Sequence, residues 1–232
     1  MPKSDSPVAE PFRTSLAPIS RRMVGDDVLD ALRDAVIDGK FPPGERLAEG
    51  VLANEMRVSR APVREALMQL EREGLISFDQ RGTARVRELH TEDLEEIYTL
   101  RLTLEPWAAR LAAERADETS LKSLDANIAA TTRAKTLSEV SRLDAAFHEV
   151  VVRASGHKRL AQCWSGLGQQ VLMWLMRMQR EHQAVTKRTR EQTAEAHAEL
   201  LRALRSRSGD EAAAAMHRHI IDWREWLPLQ EK

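Results

Sequence analysis

Four side chains that could bind a divalent metal ion lie on apolar faces of three predicted helices. Asp144 and His148 are four residues apart, so they share one helix face. His197 and His219 each lie among leucine, isoleucine or methionine residues at helical spacing. Neutral imidazoles and a carboxylate suit Zn²⁺, Ni²⁺, Cu²⁺ or Mn²⁺. The residues alone leave two interpretations open: a metal site, or histidines whose polar atoms are satisfied within a core.

The other histidines are weaker candidates. His217 lies two residues before His219 and therefore on nearly the opposite helix face, and Ile220 and Trp223 favour His219 as the inward residue. Three further histidines lie near predicted helix ends or linkers and are expected to face solvent: His90, His157 and His182.

A second group of residues could bind nucleic acid. The stretch 58–73, VSRAPVREALMQLERE, predicts a helix that begins at Ser59, because serine is a good N-cap and Pro62 is tolerated in the first turn. One face is apolar, and Arg60 and Arg64 lie off that face. Arginine can hydrogen-bond guanine or clamp phosphate, so the helix suits a DNA major groove. A solvated surface helix with salt bridges is the alternative.

The charge around this helix supports the first interpretation. The whole chain of 232 residues has a net charge of −1, yet residues 57–87 hold seven arginines against four acidic residues. Such a local basic excess is typical of a compact DNA-binding surface.

The neighbouring elements predict a winged helix-turn-helix fold. Helices are expected at 24–38 and 49–56, separated by the rigid turn FPPGERL, and they precede the helix at 58–73. After Gly74, an alternating pattern predicts a β-hairpin with Arg81 and Gly82 at its tip. A generic interaction module of three helices and a hairpin is the alternative.

The remaining chain predicts a separate bundle of helices. We expect a flexible tail over 1–22, a winged helix-turn-helix domain over 23–90 and an all-helical domain over 91–232, so the fold class is mainly α. Pro106 is expected to kink or split the first helix of the bundle. The predicted helices of the bundle are 92–116, 119–133, 136–154, 158–183, 187–206 and 209–227.

Composition and motifs narrow the class of protein. No apolar run approaches the roughly 20 residues of a membrane span, and no signal-peptide core is present, so a cytoplasmic protein is expected. Cys163, the single cysteine, is expected to be a small buried residue. Nucleophile elbows, phosphate-binding glycine loops and H-E-x-x-H motifs are absent from the sequence, so we do not expect an enzyme.

The N-terminal pattern PPGERLAEGVLANEMRVSRAPVREALMQLEREGLI, followed by RGTARV, resembles the DNA-binding domain of the GntR superfamily of bacterial transcription regulators. The resemblance implies a recognition helix and a wing tip that approach DNA through Ser59, Arg60, Ala61, Arg64, Arg81 and Gly82. The chain departs from the family pattern at Gly50, where a charged or polar residue is common, at Arg57, where glycine is usual, and at Ala61, where threonine is commoner.

The C-terminal patterns RLDAAFHEVV, EAHAELLRAL and MHRHIIDW resemble the FCD effector domain of the FadR-like branch of that superfamily. The resemblance implies that Asp144, His148, His197 and His219 hold a divalent metal ion. Of the possible metals we expect Zn²⁺ first, with Ni²⁺ or Mn²⁺ as alternatives. It also makes Arg101 a candidate to bind the carboxylate of an effector. A salt bridge from Arg101 to Glu105, four residues on, is the alternative.

Together these patterns favour a homodimeric regulator that binds a palindromic operator in double-stranded DNA. We expect a repressor, because repression is the commonest mode of action in such families. A small organic acid bound at the metal would control its affinity for the operator. Two alternatives stay open at this stage: a metal-dependent enzyme acting on a small carboxylate, and a regulator whose metal is purely structural.

Overall fold

The structure is a computed structural model that describes residues 22–224. All but the last residue of the predicted tail, 1–22, lies outside the described residues, as do residues 225–227 of the final predicted helix. The described chain is mostly helical with one small sheet, which confirms the predicted fold class.

The first part of the described chain, residues 22–89, is called the N-terminal unit here. It has three helices and three short strands: α1 (Arg22–Ile37), β1 (Arg46–Leu47), α2 (Glu49–Glu55), α3 (Arg60–Arg72), β2 (Ile76–Phe78) and β3 (Ala84–Val86). β2 and β3 form the predicted antiparallel hairpin, with Ile76 opposite Val86. β1 pairs with β3 on its other side and was not predicted, because two residues after a proline turn carry no alternating pattern.

Helix α3 buries the predicted apolar face. Val63, Leu67 and Leu70 are fully buried, and they pack with α1 residues in one hydrophobic cluster. Ser59 occupies the N-cap position as predicted, although its side chain makes no capping hydrogen bond. Burial of one face leaves the arginines of α3 on the outer surface.

The remaining described chain, residues 90–224, is called the helical unit. Its six helices are α4 (Thr91–Arg115), α5 (Glu118–Thr131), α6 (Leu137–Ala154), α7 (Lys158–Thr186), α8 (Thr189–Arg205) and α9 (Gly209–Arg224). Pro106 does not split α4, which stays one helix and packs along α9. None of the helices in the described ranges is both long and apolar enough to cross a membrane.

Two expectations about single residues were wrong. Cys163 is exposed rather than buried. His182 is buried rather than solvent-facing, because α7 continues to Thr186 and carries His182 into the contact with α8. There its Nδ1 lies 2.7 Å from Thr189 Oγ1, and its ring packs against Trp223.

The two units are packed against each other through α6 and α7. Leu172 of α7 is buried in the hydrophobic cluster of the N-terminal unit, and Ala145 and Met173 pack against the clusters of both units. Arg177 Nη1 donates a hydrogen bond to the backbone oxygen of Leu89 (2.9 Å). The helices that form the core of the helical unit therefore also support the N-terminal unit.

Candidate functional site

The four predicted metal ligands come together in the helical unit. Helix α6 supplies Asp144 and His148, α8 supplies His197, and α9 supplies His219. One ligand atom from each residue lies within 4.8 Å of the others, and all four side chains are buried. The i, i+4 spacing on α6 fixes one pair, and the packing of α8 and α9 brings the other two residues to it.

The distances place one carboxylate oxygen among imidazole nitrogens. Asp144 Oδ1 lies 3.2 Å from His148 Nε2 and 3.3 Å from His197 Nε2. His219 Nε2 lies 3.2 Å from His148 Nε2. The Phe147 ring stacks on His197 with centroids 3.9 Å apart, which holds that imidazole in place.

Several polar atoms of this cluster have no hydrogen-bond partner although they are buried. They include Asp144 Oδ1 and both ring nitrogens of His197. A buried polar atom left unpaired costs about 1–3 kcal/mol, so such atoms rarely persist without a partner. A cation shared by Asp144 Oδ1 and His197 Nε2, the ring nitrogen that faces it, would satisfy both atoms, and the residues therefore fit a divalent metal ion.

The pKa shifts of His197, His219 and Asp144 favour the protonation states in which these side chains can bind a metal ion. Burial lowers the pKa of His197, and burial together with the neighbouring His148 and His197 lowers the pKa of His219 well below its usual range. Both rings are then neutral and offer a lone pair. Burial works to raise the pKa of Asp144, but the close imidazoles of His148 and His197 together outweigh burial and hold that pKa well below its usual range.

His148 differs because a second carboxylate contacts it. Burial works to lower the pKa of His148, but the charge of Glu105 and the contacts with Asp144 and Glu105 together outweigh burial, and the pKa is raised. Its Nδ1 forms an ion pair with Glu105 Oε2, which leaves Nε2 facing the other ligands. A carboxylate on the outer nitrogen of a histidine is the usual way to orient a metal ligand. A metal would displace any proton on Nε2.

Arg101 lies beside the cluster and is almost completely buried. Its Nε donates a hydrogen bond to Glu105 Oε1 (2.6 Å), so the salt bridge raised as an alternative from the sequence is present. Its Nη2 lies 3.3 Å from His148 Nε2, and the guanidinium lies over the Trp174 ring. Contact between Arg101 and an effector stays a prediction.

Two residues of this site were missed as functional by sequence reasoning. Glu105 was considered only as a partner of Arg101, although its position four residues along the same helix face was the available signal. Gln179 of α7 donates a hydrogen bond from Nε2 to Asp144 Oδ2 (2.5 Å). No motif or spacing in the sequence pointed to Gln179.

The predicted DNA-binding residues of α3 all lie on its exposed side. Ser59, Arg60, Ala61 and Arg64 are exposed. Arg64 donates through Nε and Nη2 to the carboxylate of Glu49 on α2, at 3.0 and 2.9 Å. The guanidiniums are therefore presented at the surface, where a duplex could reach them.

Gly50 is linked to the placement of Arg60. A Cβ at position 50 would lie 3.3 Å from Arg60 Nη2, so a larger residue would require Arg60 to shift. Glycine at position 50, where the family pattern has a polar side chain, therefore leaves room for the side chain of Arg60.

The predicted wing tip is an ordered turn. Arg81 and Gly82 are exposed, and Gly82 has a positive φ of 72°. Asp79 Oδ1 accepts hydrogen bonds from the backbone nitrogens of Arg81 and Thr83, both at 2.9 Å. Asp79 therefore fixes the backbone that presents Arg81.

Arg57, which precedes the recognition motif, has a left-handed backbone with φ of 55°. This conformation costs a residue with a side chain about 1–2 kcal/mol, whereas glycine adopts it at little cost.

We expect Arg57→Gly to raise the free energy of unfolding by about 1 kcal/mol after the extra entropy of glycine in the unfolded chain is subtracted. Urea denaturation would measure the change. Arg57→Ala is the control, because it removes the charge and keeps the strain; equal stability of the two variants would contradict this explanation.

Comparison with protein families agrees with both parts of the structure. Residues 25–86 match the model of bacterial regulatory proteins of the gntR family, and residues 96–222, more than half of the chain, match the FCD domain. The chain belongs to the GntR family. Its members are transcriptional regulators that bind DNA, not enzymes, so the enzyme alternative is set aside.

Three relatives of this GntR-family chain are described as transcriptional regulators or repressors. The "Uncharacterized HTH-type transcriptional regulator YdhC" of Bacillus subtilis is 37% identical over 133 residues, which are 56% of this chain and 59% of the relative. The "Nta operon transcriptional regulator" of Aminobacter aminovorans is 30% identical over 78% of this chain and 83% of its own length. The "Gluconate operon transcriptional repressor" of Bacillus licheniformis is 29% identical over 88% and 85%.

Solved structures share the fold. A GntR regulator from Rhodococcus sp. RHA1 superposes with a TM-score of 0.72 at 22% identity, covering 90% of this chain and all of that one. E. coli McbR/YncC superposes with a TM-score of 0.69 at 22% identity, covering 86% and 94%. At these identities the likeness concerns the fold alone.

Proposed function

We propose that this GntR-family protein is a transcriptional repressor whose operator affinity is controlled by a small organic acid at a metal site. Asp144, His148, His197 and His219 would hold the ion, with Zn²⁺ as the first choice and Ni²⁺ or Mn²⁺ as alternatives. The observation that carries the proposal is the convergence of four buried ligand atoms, some of them unpaired, in a chain that also has a GntR DNA-binding region. A bound divalent ion would supply a Lewis acid that attracts a carboxylate.

The DNA side of the proposal rests on the exposed surface of α3 and the wing. Arg60 and Arg64, with Ser59 and Ala61, would enter the major groove, and Arg81 and Gly82 would approach the minor groove or backbone. As a homodimer, the protein would place two recognition helices about one turn of DNA apart on a palindromic operator.

Arg101 is suited to contribute to effector binding. Its Nη2 contacts the same His148 Nε2 lone pair that a metal would use. Metal binding would therefore require Nη2 to withdraw from that nitrogen, while Nε stays bonded to Glu105. The displaced end of the guanidinium could then pair with the carboxylate of an acid held at the metal.

Helix α6 offers a direct route from the metal site to the N-terminal unit. Arg142, two residues before the ligand Asp144, pairs through Nη1 with Asp34 of α1 (3.0 Å) and through Nη2 with Asp38 (2.9 Å). Ser138 Oγ donates to Asp38 as well (2.8 Å). A ligand that favours one placement of α6 would therefore bias the placement of α1 and the rest of the N-terminal unit.

Arg142→Ala tests this route. We expect it to reduce the effect of metal and acid on operator affinity by about 0.5–2 kcal/mol, or about 2- to 30-fold, because the two ion pairs from α6 to Asp34 and Asp38 are lost. Fluorescence anisotropy of labelled operator, with and without ligands, would measure the change. Arg153→Ala is the matched control, since Arg153 pairs with Glu149 within α6 and does not link the units. An unchanged ligand effect in Arg142→Ala would contradict the route.

The proposal as a whole is tested by titrating labelled operator with the purified protein. Metal-loaded protein, chelator-treated protein, and metal-loaded protein with each of a panel of small organic acids would be compared. We expect at least one acid to shift the operator dissociation constant only when metal is present. If the chelator lowers the melting temperature and no acid alters operator binding, the metal has a purely structural role.

A further inference from the structure

Gln179 is buried beside the candidate metal site but contributes none of the four ligand atoms. Its Nε2 donates a hydrogen bond to Asp144 Oδ2 (2.5 Å). The other oxygen, Asp144 Oδ1, is the one that lies within 3.3 Å of the Nε2 atoms of His148 and His197. The two oxygens of one carboxylate therefore have different partners: an amide on one, and the ligand cluster on the other.

The Asp144 carboxylate fixes which end of the Gln179 amide faces it, and the Ser141 hydroxyl meets the other end. Ser141 lies on α6, three residues before Asp144, and its Oγ is 2.8 Å from Gln179 Oε1. A carboxylate can only accept hydrogen bonds, so the amide must present its NH₂ group to Asp144 and its oxygen to the hydroxyl. The chain Ser141–Gln179–Asp144 is thus consistent in one orientation alone, and all three side chains are buried.

We propose that Gln179 is a positioning residue that restricts Asp144 to binding the metal through one oxygen. A carboxylate with both oxygens free can bind a cation through one or both of them. Because Oδ2 accepts the Gln179 hydrogen bond while Oδ1 faces the histidines, Asp144 would bind the ion through Oδ1, which would leave room on the ion for an effector. This inference rests on the metal site of the proposed function.

The first measurement compares metal affinities. Gln179→Leu keeps similar volume and removes the amide. We expect the Zn²⁺ affinity, measured by competition with a chromophoric chelator, to fall about 10- to 100-fold, the usual effect of removing a residue that orients a metal ligand. Gln162→Leu, an exposed position on the same helix, is the matched control and should bind Zn²⁺ like the unaltered protein.

The second measurement reports on the carboxylate itself. With Co²⁺ in place of Zn²⁺, the visible absorption spectrum depends on how many atoms bind the ion. We expect a changed spectrum for Gln179→Leu, since Asp144 becomes free to use both oxygens, and an unchanged spectrum for Gln162→Leu. Loss of packing alone would not produce that difference.

Ser141→Ala is a milder variant that keeps the inference testable if Gln179→Leu does not fold. It leaves Gln179 in place but frees its amide to rotate, so the affinity loss should be smaller and the spectral change should have the same direction. Unchanged Zn²⁺ affinity and an unchanged Co²⁺ spectrum in folded Gln179→Leu, or in Ser141→Ala if only that variant folds, would overturn the positioning role. Failure of the unaltered protein to bind either metal would instead overturn the proposed function, and the inference with it.

Discussion

His197→Ala is expected to abolish stoichiometric Zn²⁺ binding and, with it, the stabilisation that the ion gives. Neither ring nitrogen of His197 has a hydrogen-bond partner among the described residues, and Nε2 faces Asp144 Oδ1 of the same cluster at 3.3 Å, so the polar contact of the ring lies within the candidate metal site. The loss of affinity should exceed the roughly 10- to 100-fold change seen when a residue that only orients a ligand is removed. Free Zn²⁺ at a thousand times its dissociation constant should stabilise the unaltered protein by about 4.1 kcal/mol and the variant hardly at all.

Elemental analysis and calorimetric melting, each with and without chelator, would measure these effects. Each protein is compared with its own metal-free form, because removing an imidazole stacked on Phe147 also leaves a cavity. His217→Ala is the control: His217 is exposed on α9, two residues from His219, and its loss should leave metal content unchanged. Full metal occupancy in His197→Ala would exclude the assigned site.

Arg64→Ala is expected to weaken operator binding by about 1–3 kcal/mol, or about 5- to 150-fold, if the guanidinium reads a base. Arg64 is exposed and bonded to the carboxylate of Glu49, so binding DNA would exchange that partner for a base or a phosphate. A lost base contact would relax the preference for one operator position, whereas a lost phosphate contact would weaken all sequences equally and reduce the salt dependence.

Anisotropy titrations on the operator and on single-base variants, at two salt concentrations, would separate these cases. Arg72→Ala is the matched control, because Arg72 is exposed in the last turn of the same helix. Equal losses in the two variants would mean that Arg64 contributes only general charge.

The sequence was most informative about features that depend only on which residues share one face of a single helix. The apolar face of α3 and the Asp144–His148 pair follow from residue spacing within a single helix, and the structure has both as predicted. His197 and His219 lie on other helices, and the family resemblance, rather than spacing, joined them to that pair.

The sequence was least informative about contacts between helices. Gln179 meets Asp144 only because α7 packs beside α6, and no local pattern in α7 reveals that contact. His182 was placed in solvent because the predicted end of α7 fell three residues too early. The strand β1 is defined by its pairing with β3 and not by its own two residues.

The shared packing around α7 limits how the N-terminal unit can move. Leu172 is buried in that unit's cluster, and Met173 packs against both clusters, so swinging the two units apart would expose these side chains to water. Exposing a buried leucine costs about 1.5–3 kcal/mol, which makes a wide hinge motion unfavourable. Under the proposed function, the response to ligand should therefore be a shear of a few ångströms between α1 and α6, in which the apolar contact stays closed.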